Sequence, residues 1–161
     1  MYIRQVTDIH EISRVFNHYD IFQYISDDLT PFPYIPDIED TIYLGYSLEK
    51  DSLDLVGIIS ATKLTGTTFS FHIALLRAAL GSGKEVINLA ADWVLTNTTC
   101  LKAICIFPVY NRLVKRLLKD CGFKEEGRIT KCFLKNWKLH DMYVYGITKG
   151  EFLCQQRQEQ Q

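Results

Sequence analysis

The run Thr67-Thr68-Phe69-Ser70-Phe71-His72-Ile73-Ala74-Leu75-Leu76 leads, a few residues on, into Leu80-Gly81-Ser82-Gly83-Lys84-Glu85, and this stretch decides how the chain is read. The first part is strand-like. After the glycine turn, Val86, Leu89, Ala90, Trp93 and Val94 recur at helical spacing, which predicts a helix over Gly83 to Thr96. A strand, a glycine-bearing turn and a helix N-terminus together suit a phosphate, because unpaired backbone N–H groups and the helix dipole point at the same spot. The turn also has a plainer reading. Ser82 and Glu85 stand three apart, the spacing of a capping box that would use those donors to start the helix.

Working outward, Ala103-Ile104-Cys105-Ile106-Phe107 is apolar throughout and reads as a strand covered on both faces. Leu113, Val114, Leu117 and Leu118 then mark an amphipathic helix that ends at Gly122. Arg128 to Leu134 and His140 to Ile147 are two strands joined by Lys135-Asn136-Trp137-Lys138. Toward the N-terminus, Tyr2 to Val6 alternates as a strand, and Asp8 with Glu11 forms a capping box. The helix it opens carries Ile9, Ile12, Val15 and Phe16 on one face and is expected to continue toward Phe22 and Ile25. Three prolines in Ser26 to Pro36 impose a long loop with interleaved aromatics. Thr41 to Ser47 and Leu53 to Thr62 read as a hairpin. Propensity alone therefore predicts a mixed α/β domain with no internal repeat.

A chain of 161 residues fits one domain, expected over 1–153, with a flexible Gln-rich tail over 154–161 that has nothing to bury. Hydrophobic residues make up 47% and charged residues 23%, the balance of a soluble globular protein. A net charge of -1 supplies no concentrated basic surface, so nucleic acid is not an expected partner. No apolar run approaches the roughly 20 residues that span a bilayer, and Met1 to Arg4 begins a strand and not a signal sequence. The five cysteines contain no C-x-x-C pair and read as reduced thiols in a cytoplasmic setting. The four histidines show no metal-ligand spacing with them, and no metal is expected.

In this order and spacing, the Leu80–Glu85 turn and the Val109-Tyr110-Asn111-Arg112 to Cys121-Gly122-Phe123 unit resemble the acetyl-coenzyme A cleft of the GCN5-related N-acetyltransferases. The resemblance rests chiefly on residues 69–152. It implies a central mixed, mostly antiparallel sheet of six to seven strands, splayed between strands 4 and 5 and flanked by helices. It implies acetyl-CoA on Gly81, Ser82, Gly83 and Lys84 and along the strand near Leu75, with Asn111 holding the pantetheine or sulfur end. The plainer role of Asn111 is a helix cap. By the same resemblance His72 would deprotonate an amine acceptor, directly or through water; its plainer role is hydrogen-bonded filler. Tyr110 would substitute for the family's acid, a Tyr seven residues after the Asn, where this chain has Leu118; alternatively Tyr110 packs, and the thiolate leaves unaided.

Two further departures fall in the turn. Leu80 replaces the family's leading cation, and Glu85 replaces a small residue, placing a carboxylate where it would repel a diphosphate by about 1 to 4 kcal/mol. Arg77 is near in sequence but is expected to point elsewhere at this register. His140 and Asp141, adjacent on a strand, point to opposite faces and cannot form a dyad. The Phe32–Pro36 loop falls where the family builds one wall of the acceptor site. Phe133 to Asn136 through His140-Asp141 is similar to acetyltransferase-like proteins of tailed bacteriophages. The departures at Leu80, Glu85 and Leu118 leave an alternative, a non-catalytic binding or virion component that no longer holds the cofactor, with virion or host proteins as partners; either reading allows a homo-oligomer.

Overall fold

The computed structural model describes residues 1–159. Strands β1 (Tyr2–Val6), β2 (Thr41–Ser47), β3 (Gly57–Lys63), β4 (Thr68–Leu75), β5 (Lys102–Pro108), β6 (Lys124–Lys135) and β7 (Lys138–Thr148) form one sheet in the order β1-β2-β3-β4-β5-β7-β6. Every neighbouring pair is antiparallel except β4 and β5. A parallel pair needs a crossover, and here it is supplied by α3 (Gly83–Asn97). The other helices are α1 (Ile9–Phe16), α2 (Tyr19–Ile25), α4 (Arg112–Asp120) and α5 (Lys149–Glu159).

Period-2 alternation sends adjacent residues to opposite faces, and both faces are covered. Ile58 joins Val6, Ile12, Val15, Phe16, Tyr43 and Ala74 in a core beneath α1 and α2, whereas its neighbour Ile59 joins Leu44, Tyr46, Phe71 and the inner faces of α3 and α4. The fully buried Tyr46 would leave a costly orphan hydroxyl, but it donates to the Val86 carbonyl at 2.8 Å. Among the described residues, no helix is long and apolar enough to cross a membrane.

Two expectations change. The first helix does not run through to Ile25, because Asn17 and His18 interrupt it. Asn17 ends α1, and its amide donates to the carbonyls of Ser13 and Tyr34; His18 then starts α2, its ring nitrogen accepting from the Asp20 N–H. Side chains that satisfy the backbone locally compete with helix continuation, whatever the apolar spacing. The stretch from Cys154 is helical as far as Glu159, because α5 is anchored upstream by the buried Phe152; Gln160 and Gln161 lie outside the described residues.

Candidate active site

The sheet opens at its parallel seam. β4 and β5 are paired from Thr68↔Lys102 only as far as Phe71↔Cys105. Beyond that point β4 stays with β3 as far as Gly57↔Leu75, and β5 stays with β7 as far as Pro108↔Met142. The two halves of the sheet diverge, and among the described residues the β5-facing edge of His72 to Leu75 has no strand partner. The resulting cleft has a volume of ≈ 570 Å³ and is bordered by His72, Leu75, Arg77, Leu80, Tyr110 and Asn111, among others.

Residues expected to act therefore meet at one place, though not all of them. His72 borders the cleft with its ring stacked on Phe16, centroids 6.2 Å apart, and burial pushes its pKa below the ordinary value. It is neutral at pH 7 and so able to accept a proton. Tyr110 borders the opposite side, edge-on to His140 at 4.9 Å. Burial, with the Asp28 carboxylate assisting, raises its pKa and keeps the hydroxyl protonated. Asn111 caps α4, its Oδ1 accepting from the Val114 N–H at 3.2 Å, while also bordering the cleft.

The glycine turn is built differently from the expected cradle. Arg77–Ser82 is a 3-10 turn running straight into α3, and Gly81, Ser82, Gly83 and Lys84 are not among the cleft-lining residues. Gly83 is buried where a Cβ would come within 2.9 Å of Leu117 Cδ2, so this glycine admits the close approach of α4. The Ser82–Glu85 capping box does not form either: Ser82 makes no side-chain cap bond, and Glu85 instead faces the Met1 ammonium at 3.6 Å. Glu85 is not among the cleft-lining residues, but it stays in the first turn of α3, next to the turn where its carboxylate was expected to repel a diphosphate.

Arg77, expected to point elsewhere, lines the cleft beside Leu80 and faces Asp20 of α2 at 3.6 Å. The 3-10 turn redirects it. The far wall is made by Asp20, Ile21, Tyr24 and Ile25 of α2, not by the Phe32–Pro36 loop, which folds aside with Phe32 against Phe22 and Tyr34 against Phe16. Sequence reasoning missed these α2 residues, as well as Phe133 and Met142 at the back of the cleft. Only the His18-Tyr19-Asp20 cap could have signalled that a second helix starts there. Cleft dimensions, a strand edge free of partners and a single bordering carboxylate, Asp20, are compatible with a long, anionic, hydrogen-bonding ligand. Among the described residues no group of His, Cys, Asp or Glu could hold a metal ion.

Seven strands, a parallel β4–β5 seam that splays and helices on both faces define the acetyltransferase fold. No family model matches the chain. The chain is similar to the spermidine N(1)-acetyltransferase of Vibrio cholerae, 24% identical over 120 residues that make up 72% of this chain and 69% of that protein. The crystal structure of spermidine N-acetyltransferase from that organism, in complex with CoA and spermine, aligns over 94% of this chain and 97% of its own with a TM-score of 0.75 at 19% identity. The smu.2055 protein of Streptococcus mutans aligns over 92% and 99% of the two chains, with a TM-score of 0.72 at 19% identity.

Proposed function

We propose that this chain is an acetyl-CoA-dependent N-acetyltransferase whose acceptor is an amine of the polyamine class. The observation that carries the reading is the seam, paired to Phe71↔Cys105 and open beyond it. An open strand edge offers backbone donors and acceptors to an amide-bearing arm, as in β-strand addition. The spermine and CoA in the Vibrio cholerae complex support the choice of both substrates.

Acetyl-CoA supplies an activated acetyl thioester. The β4 edge from His72 to Leu75 holds the pantetheine arm, and Asn111 sits where the arm meets α4. Gly81, Ser82, Gly83 and Lys84, where the 3-10 turn passes into α3, lie beyond Leu80 along the chain and are assigned the diphosphate end by the likeness to the acetyltransferase cleft. His72, neutral through burial, takes the ammonium proton of the acceptor so that the amine becomes a nucleophile. Tyr110 holds its proton at the cleft wall, available to the leaving sulfur.

The test is a free-thiol assay with acetyl-CoA and spermidine, coupled to mass detection of acetylspermidine. Thiol release that depends on spermidine, matched mole for mole by acetylspermidine, supports the reading. No release above the hydrolysis background, with no CoA binding, would instead support the fold as a binding or virion component. The packing of Gly83 on Leu117 is the observation that favours this second reading, since it gives that glycine a purely structural use.

A further inference from the structure

We propose that Arg77 and Asp20 form an exchangeable ion pair across the cleft, which the anionic CoA and a cationic acceptor open from opposite sides. This rests on the acetyltransferase reading above and adds a coupling between its two substrates. Arg77 stands on the 3-10 turn after β4, and Asp20 stands on α2, so the pair links the cleft's two walls at a separation of 3.6 Å. Among the residues lining the cleft, Asp20 is the one carboxylate, and the guanidinium groups are those of Arg77 and Arg112. The site thus has one negative group to meet an ammonium, and with Leu80 in place of a cation Arg77 supplies a guanidinium on the 3-10 turn.

The pair is suited to exchange. The Arg77 side chain is 79% exposed and that of Asp20 26%, so water screens the attraction and opening costs little. A phosphoryl group offers a guanidinium two acceptor oxygens and so competes well with the carboxylate. When CoA draws Arg77 away, Asp20 is left uncompensated and attracts the acceptor ammonium; an ammonium at Asp20 conversely releases Arg77 to CoA. Linkage makes the effect equal in both directions. Asp20 and Arg77 are therefore positioning and selectivity residues.

Calorimetry on the full chain tests this, titrating CoA with and without saturating spermidine. Wild type is expected to bind CoA about three- to fivefold more tightly when spermidine is present, the scale of an exposed pair. In Arg77→Gln and Asp20→Asn that coupling disappears. Arg77→Gln weakens CoA by about tenfold but leaves pantetheine, which has no phosphate, unchanged by ligand-observed NMR. Asp20→Asn, by freeing Arg77, tightens CoA in the absence of spermidine, whereas a merely structural Asp20 would loosen it. CoA binding that is insensitive to spermidine in wild type, or equal in Arg77→Gln, overturns the proposal and leaves the acetyltransferase reading standing. No CoA binding to wild type overturns both.

Discussion

His72 lies parallel to Phe16 inside the cleft wall, with its pKa lowered because burial penalises the imidazolium. Two outcomes follow at this scale. His72→Gln should lower kcat by about 100-fold or more while leaving the Kd for CoA near wild type, since it removes the side-chain proton acceptor and keeps the backbone edge that holds the arm. The acid limb of the wild-type kcat/KM profile should lie below the ordinary histidine value and vanish in the variant. The same shift has a stability sign. The folded pKa is depressed, so the unfolded chain binds the proton first as pH falls, and the stabilising contribution is complete above the unfolded value and lost toward the folded one. Chemical denaturation from pH 7 to pH 5 should therefore show a smaller loss in His72→Phe than in wild type; equal slopes would mean His72 does not titrate differently on folding. Tyr110, half exposed and outside the core, should tolerate Phe without loss of Tm, and only turnover should fall.

At the level of elements, α4 is positioned by both of its ends. Asn111 caps its start, and the other end closes with Gly122 at φ 79, where the Gly122 N–H donates to the Lys119 carbonyl and the Phe123 N–H to the Leu118 carbonyl. Gly122→Ala should cost about 1 to 2 kcal/mol by equilibrium denaturation, because a Cβ is strained in this conformation. It would also press on the Gln155 side chain of α5. The last helix depends on a different device: Thr148 and Glu151 bond each other's backbone N–H, and Phe152 is buried. Phe152→Ala should cost about 3 to 5 kcal/mol. A loss under 1 kcal/mol would show that α5 is not anchored as described. This helix was hidden in the sequence because its apolar residues, Phe152, Leu153 and Cys154, are consecutive and not at helical spacing, and a glutamine-rich run follows them. The end of α4 was legible, since Cys121-Gly122-Phe123 after an apolar periodic run has few alternatives. Arg77 was not, because a strand followed by a short 3-10 turn rotates side chains by an amount that apolar periodicity does not encode.

For the molecule as a whole, the open seam follows from two loyalties within one sheet. β4 is bound to β3 from Phe69 to Leu75, β5 to β7 along its full length, and the two halves share only the pairs from Thr68↔Lys102 to Phe71↔Cys105. The succession of strands and helices along the chain could be read from the sequence, and the splay between strands 4 and 5 only from the family resemblance; the residue at which pairing stops depends on the twist of both halves together. Cavity-filling follows the same logic: Gly57 faces Leu75 at the cleft end of β4, where a Cβ would meet Leu75 Cδ2 at 2.5 Å and the Ala74 carbonyl oxygen at 2.9 Å. Gly57→Ala should destabilise the fold by about 1 to 3 kcal/mol and weaken CoA binding, read by denaturation and calorimetry together. The central claim is that the free edge of β4 is the seat of the cofactor arm, and hydrogen exchange tests it most directly. Saturating CoA should slow exchange selectively within residues 72–75, while the region 68–71, already paired with β5, changes little. CoA binding that leaves 72–75 exchanging as in the free chain, with protection appearing elsewhere, would contradict it.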